Sequence, residues 1–385
     1  MTAYRLTAVA GATLRRLLPF LAVLIAALAA LFVLWPSKGS TPSERTGADS
    51  EKSSIVYLKD GDLWIAPVDE GQPPRRLTEK SMAAGYAGAV RRSDGAVDIF
   101  YASQEGGSRE GGTFAVYRLQ AATTNAERVL EFQGSSKNAE FSCCNVSVSP
   151  DGKFLAYVDK TGLRLHYLAS GEDTLLSPNG SVGESCMTVS PCFGNYLPLW
   201  SPQSDAILFV RIFYEGSSLF AIRPFSQSPE ETLIGRDGFG FRSWSPDGKA
   251  ICSQLGQDGD YGAVTLDTAT GKASLLSSAL LPPLKSTPLI NAVSACFWSP
   301  DGRIAFSYLQ GNLSQHVAVL DRRRAMIALL DGGPLVGWLA DGSGVVYRGP
   351  PSPPDPRTWY FLWIPGGFPI QLAIEADRVL AVVPR

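Results

Sequence analysis

Trp244-Ser245-Pro246-Asp247-Gly248 and Trp298-Ser299-Pro300-Asp301-Gly302 are copies of one phrase, and Ser149-Pro150-Asp151-Gly152 repeats its last four residues. Eroded versions stand at Trp200-Ser201-Pro202, at Trp338-Leu339-Ala340-Asp341-Gly342 and at Ser93-Asp94-Gly95. Proline fixes φ and glycine accepts a positive φ, so Pro-Asp-Gly closes a tight turn between two strands. Each copy is followed by an apolar strand, then a second, then a third. Four short strands recurring every 40–55 residues or so are the signature of a β-propeller.

The unit reads as strand a ending in the phrase, an apolar strand b, a strand c like Leu63-Trp64-Ile65-Ala66, and a strand d ending near Leu77-Thr78. Ile55–Leu77 supplies b, c and d of a first blade that lacks its own strand a. Complete units follow around Ala89–Phe132, Val146–Leu176, Leu199–Ile234, Phe241–Leu276, Cys296–Leu330 and Val336–Ile374. One strand is left over, Arg378-Val379-Leu380-Ala381-Val382-Val383, and it has the length to complete the first blade. Closure by that strand leaves no open sheet edge. The expected fold is therefore all-β, a seven-bladed propeller over residues 54–385. Six blades is the alternative, because the second unit is badly degraded.

Composition agrees. The chain has 385 residues with 38 glycines and 27 prolines, and only 18% of residues are charged. That mix suits many short strands and tight turns. The formal net charge of -2 supplies no basic field for nucleic acid.

The N-terminus carries a membrane signal. Arg5, Arg15 and Arg16 precede Leu17–Trp35, a run without charge. A helix of about 19 residues crosses a ~30 Å hydrocarbon core. Trp35 is placed for the interface and Pro36 stops the helix. Arginine before the run predicts a cytoplasmic stub (1–16), a transmembrane signal anchor (17–35), a polar Ser/Thr/Gly-rich linker (36–53) and a propeller outside the cytoplasm. A cleaved signal peptide is the competing reading, since Ala27-Leu28-Ala29 imitates a cleavage site.

Six cysteines fit an oxidising exterior. Cys143, Cys144, Cys186 and Cys192 cluster in and beside one long predicted loop, where they are disulfide candidates, with zinc as the alternative. Cys252 and Cys296 lie in strand-like apolar runs and read as inert core residues.

Trp244-Ser-Pro-Asp-Gly-Lys249, Trp298-Ser-Pro-Asp-Gly-Arg303, Gly61-Asp62-Leu63-Trp64-Ile65 and Arg75-Arg76-Leu77-Thr78 resemble the repeats of TolB-type propellers. The resemblance covers roughly residues 54–385 and implies the fold. It implies no particular partner, because the motif is a turn that holds blades together.

Signals for chemistry are sparse. His166 and His316 each alternate with apolar neighbours in a predicted strand c, which reads as a structural histidine. Asp60-Gly61-Asp62 and Asp258-Gly259-Asp260 read as turns in preference to calcium sites, lacking further oxygen ligands. Asn145, Asn179 and Asn312 open glycosylation-type triplets. No catalytic residue, metal site or cofactor is assigned.

In a propeller the a–b and c–d turns share one face, and the b–c and d–a segments share the other. Every long predicted loop belongs to the second class: Ser103–Thr113, Gly134–Asn145, Pro178–Pro198, Ser277–Ala295 and Arg348–Thr358. They carry Arg109, Glu110, Phe141, Met187, Phe193, Tyr196, Leu281, Lys285, Arg357 and Trp359. Aromatics mixed with a few charges suit protein or peptide recognition. The expectation is a non-catalytic scaffold with a protein or envelope partner. The alternatives are an enzyme (lyase or hydrolase on glycan or peptide) with a central-channel site, and a structural spacer in a larger complex.

Overall fold

Pro-Asp-Gly turns and alternating apolar strands fold back on themselves locally, and the result is seven four-stranded antiparallel sheets. The computed structural model describes residues 53–68, 72–79, 83–108, 111–123, 125–135, 145–180, 193–213, 216–236, 242–257, 260–270, 272–276, 293–309, 314–350, 360–374 and 376–384. The transmembrane and signal-peptide expectations for residues 17–35 lie outside this set.

The chain opens with β1 (Ser53–Lys59), β2 (Asp62–Pro67) and β3 (Arg75–Arg76). The second blade is β4 (Ala83–Arg91), β5 (Val97–Ser108), β6 (Gly111–Gln120) and β7 (Ala126–Ser135). The third is β8 (Val146–Val148), β9 (Phe154–Val158), β10 (Gly162–Tyr167) and β11 (Asp173–Pro178). The fourth is β12 (Phe193–Trp200), β13 (Ile207–Phe213), β14 (Gly216–Ile222) and β15 (Glu231–Arg236). The fifth is β16 (Ser243–Trp244), β17 (Ala250–Gln257), β18 (Asp260–Asp267) and β19 (Ala273–Leu275). The sixth is β20 (Val293–Trp298), β21 (Ile304–Leu309), β22 (Gln315–Leu320) and β23 (Met326–Asp331). The seventh is β24 (Leu335–Trp338), β25 (Val345–Arg348), β26 (Tyr360–Trp363) and β27 (Ile370–Gln371). The last strand, β28 (Arg378–Pro384), pairs with β1 from Ser53↔Pro384 to Leu58↔Arg378 and completes the first blade. Seven blades and closure by the C-terminal strand are as the repeats predict.

Packing follows from the two-residue period of a strand, which sends successive side chains to opposite neighbours. On β13, Ile207 and Phe209 join the apolar cluster shared with the third blade, while Leu208 and Val210 join the one shared with the fifth. Seven such clusters occupy the seven seams between blades.

The recurring phrase has two jobs. Its serine and aspartate close the a–b turn: Ser149, Ser245 and Ser299 Oγ donate to Asp151, Asp247 and Asp301 Oδ1 at 2.7, 2.6 and 2.5 Å. The backbone turn closes too, from Gly248 N to Ser245 O at 2.9 Å, with Gly248 at φ +69°. Its tryptophan joins blades. Trp200, Trp244 and Trp338 Nε1 donate to Ser147, Leu199 and Phe297 O, on the inner strand of the preceding blade, at 3.1, 3.3 and 3.0 Å.

Trp298 is the exception, since its Nε1 is buried without a hydrogen bond. The same seam, between the fifth and sixth blades, holds a disulfide from Cys252 on β17 to Cys296 on β20, with Cα atoms 5.6 Å apart. This corrects the reading of those cysteines as inert. Both are fully buried in the apolar cluster of that seam, as expected, but they are bonded to each other.

Candidate functional site

Strand direction fixes which residues share a face. Strand a runs toward the Trp-Ser-Pro-Asp-Gly turns, so its first residues, the last of b, the first of c and the last of d gather on the opposite face. Of the sequence-derived site residues, Phe193 and Tyr196 are described and lie toward that face. Arg109, Glu110, Phe141, Lys285, Arg357 and Trp359 fall outside the described residues, as do Cys143, Cys144, Cys186 and Cys192.

Two predicted loops contain strand among their described residues. Residues 103–108 and 111–113 are strand: β5 and β6 continue, pairing Gln104↔Phe114, Gly106↔Thr113, Gly107↔Gly112 and Ser108↔Gly111. β7 follows alongside, with Phe114↔Phe132 and Gly112↔Gly134. A glycine on β7 makes room for a ring here. A Cβ on Gly134 would lie 2.5 Å from Phe114 Cε2, so only glycine lets Phe114 lie flat against Phe132 at 5.7 Å. β5 has 12 residues against 8 or fewer in the other second strands. Four more residues amount to roughly 13 Å of extra strand. The second blade thus carries a three-stranded extension on this face.

Residues Phe193–Pro198, taken as the end of another loop, belong to β12. A bulge between Tyr196 and Leu199 accommodates Pro198, which has no amide to offer the ladder, and Leu197 adopts φ +54°. Tyr196 is buried and is not a surface anchor. Phe193 is half-buried and covers a cation. Arg211 on β13 lies 4.4 Å from its ring and 4.5 Å from that of Phe220. Arg211 donates to Asn195 Oδ1 (3.0 Å), to Ser177 Oγ of the third blade (2.9 Å) and to Glu231 Oε1 (2.8 Å). Asn195, fully buried, donates in turn to Ser177 O and Oγ. This network clamps blades three and four beneath the face, and no local sequence signal announces it.

Other polar groups on or near the face fall into three sets. On the second blade, Tyr117 donates its hydroxyl to Glu105, and Arg128 lies 3.6 Å from Glu105 and 2.8 Å from Glu131. The bond to Glu105, then burial, raises the Tyr117 pKa, and burial takes its stacking partner Tyr101 up to about 12. At the head of β16, Arg242 is buried, its Nε makes no hydrogen bond, and its guanidinium donates to Leu197 O. Burial alone lowers its pKa to about 9, so it stays charged at neutral pH. On the sixth blade, Tyr308 sits with its ring 5.6 Å from His316, whose Nδ1 lies 3.1 Å from Asp331 Oδ1 without alignment for a hydrogen bond. Burial, then the Asp331 charge, pushes Tyr308 up to about 12.

Both histidines stand in third strands, as predicted. His166 on β10 is buried with Nδ1 3.2 Å from Asp173, which also accepts from Tyr157 OH at 3.0 Å. Asp60-Gly61 forms the β1–β2 turn with φ +53° and +78°, which is the turn reading of that motif. The amides of Asn145 and Asn179 are engaged internally, with Leu197 N donating to Asn145 Oδ1 at 3.0 Å and Asn195 N to Asn179 Oδ1 at 2.8 Å. Among the described residues no three His, Cys, Asp or Glu side chains are grouped to hold a metal ion.

No protein-family model matches the sequence, and no curated protein does. Similar solved structures exist. TolB from Acinetobacter baumannii, as the repeats imply, is one of them, 18% identical over 73% of this chain with a TM-score of 0.46; the match spans 63% of the TolB chain. Oligogalacturonate lyase from Vibrio parahaemolyticus is 13% identical, with 83% of each chain covered and a TM-score of 0.55. A prolyl endopeptidase is 12% identical over 87% of this chain and 50% of its own, with a TM-score of 0.54. At these identities the likeness is one of fold.

Proposed function

We propose that this chain is a membrane-anchored propeller held outside the cytoplasm, acting as a non-catalytic scaffold that binds a protein or envelope partner through the b–c and d–a face. The observation that carries this is the asymmetry of the two faces. On one, the a–b turns satisfy their own polar groups, serine to aspartate and glycine to serine. On the other, the second blade raises an extended sheet that carries Glu105 and Arg128, with the half-buried Tyr117 donating its hydroxyl to Glu105. A rigid sheet that presents aromatic and charged side chains together suits recognition of a protein surface. The anchor rests on the sequence of residues 17–35, and the cross-blade disulfide fits an oxidising compartment.

The test shortens the extension. Replacing residues 105–113 with Asn-Gly joins the cross-strand pair Gln104↔Phe114 by a two-residue turn. Crosslinking in native membranes followed by capture of the full chain should then lose the partner seen with the parent. An unchanged set of captured proteins refutes the assignment of the face.

The enzyme reading, a lyase or hydrolase on glycan or peptide, draws on Tyr308, His316 and Asp331. These side chains lie on the second, third and fourth strands of the sixth blade, away from the innermost strand, and so do not fit the channel-centred site that reading expects. Loss of a measured turnover on replacing His316 with glutamine would favour it.

A further inference from the structure

The chain enters the propeller on the short-turn face. Ser53, the first residue of β1, pairs with Pro384, its carbonyl accepts from Val68 N, and its Oγ accepts from Ala340 N in the a–b turn of the seventh blade at 2.9 Å. The same blade shows a large apolar surface on that face. Ile364-Pro365-Gly366-Gly367 closes the turn between β26 and β27, with Gly367 N donating to Ile364 O at 3.0 Å and Gly366 at φ +82°. The turn lifts Phe368 to 92% exposure, flanked by Ile370 at 56% and Ile364 at 41%. A Cβ on Gly344 would lie 3.3 Å from Ile364 Cγ1, so this turn abuts the a–b end of its own blade. Arg322 and Arg323 stand exposed on the corresponding turn of the neighbouring sixth blade, with Arg322 3.4 Å from Asp301.

We infer that the Ile364–Ile370 turn is a lipid contact, with Phe368 inserted at the headgroup boundary of the bilayer that anchors the chain. The inference rests on the membrane-anchor reading above. Its second support is the length of chain between the anchor and the propeller: the 17 residues of 36–52, read from sequence as a polar linker, correspond to a coil reach of roughly 20–25 Å. That length ends at Ser53, one blade from Phe368 and on the same face. A bulky aromatic just past a tight turn, with arginines on the corresponding turn of the next blade, matches the side chains that settle at a membrane interface. The opposite face is then directed away from the bilayer, where a partner can reach it.

The experiment uses the full chain in lipid vesicles with a photoreactive phenylalanine analogue at position 368 and, as a control on the other face, at position 105. Flotation after a carbonate wash reports anchoring independently. The expected result is retention on vesicles, lipid adducts at 368 and none at 105. Retention without lipid adducts at 368 overturns the contact and leaves the anchor standing. Adducts at 368 to a second copy or to another protein assign the turn to a protein interface and overturn it equally. Loss of the chain on washing removes the anchor and the contact together.

Discussion

Replacing both Cys252 and Cys296 with alanine removes the disulfide that cross-links the fifth and sixth blades. The bridged residues are 44 apart in sequence. Cross-linking a loop of that size withdraws about 13 cal/mol/K of entropy from the unfolded chain, or about 4 kcal/mol at 25 °C. Losing the two buried sulfur atoms acts in the same direction. Ser50–Arg385 forms one compact unit. At an unfolding entropy near 2.1 cal/mol/K per residue, a propeller of this size has a total of about 0.7 kcal/mol/K, so the midpoint should fall by about 6 °C. Scanning calorimetry of the full chain in detergent, parent against double variant, measures it. The Trp298 indole donates nothing across this seam, which leaves its backbone amide, donating to Ser243 Oγ at 2.8 Å, as the polar link at that residue. A midpoint within about 1 °C of the parent, on the same scale, would refute the view that the bridge holds the seam.

Two further outcomes follow from the same turns. Trp200→Phe and Trp338→Phe each delete an inter-blade hydrogen bond of 3.1 or 3.0 Å, and each should lose about 1 kcal/mol more than Trp298→Phe in urea unfolding. Equal losses at all three positions would show that the indole N–H is immaterial. The Ser245 hydroxyl, then the Lys249 amide, hold the Asp247 carboxyl below its usual pKa range, with burial opposing them. The unfolded chain therefore takes up this proton first. The contribution is complete above about pH 4 and is lost as pH falls through the folded-state value. The gap in urea midpoint between the parent and Asp247→Asn should be widest near neutrality and shrink toward pH 3, and a constant gap would exclude this linkage.

Blade count, strand order and ring closure are legible in the residues because each depends on chemistry within a few positions: proline and glycine in the turn, alternation in the strands, a spare strand at the end. What escapes reading depends on partners distant in sequence. Gly106, Gly107, Gly111 and Gly112 signal a loop, yet β5 and β6 pair through them, and Gly134 on β7 leaves the space that Phe114 needs beside Phe132. Pro198 signals a strand break until the bulge absorbs it. Cys252 and Cys296 lie in two consecutive blades and meet only when those blades pack against each other. Arg211 looks like an ordinary surface cation, and its partners come from two blades and three strands. The face of the candidate site follows from topology, while the side chains that shape it follow from register.

The pairing of β28 with β1 also sets an order of events during synthesis. Ser53 is among the first propeller residues to leave the ribosome and its partner Pro384 among the last. Until then β1 keeps one backbone edge without its native partner, however many later blades have already formed. Such an edge is a template for pairing with other chains. Nascent or prematurely terminated molecules are thus the vulnerable population of this protein, and the final strand acts as a completion check on the whole ring.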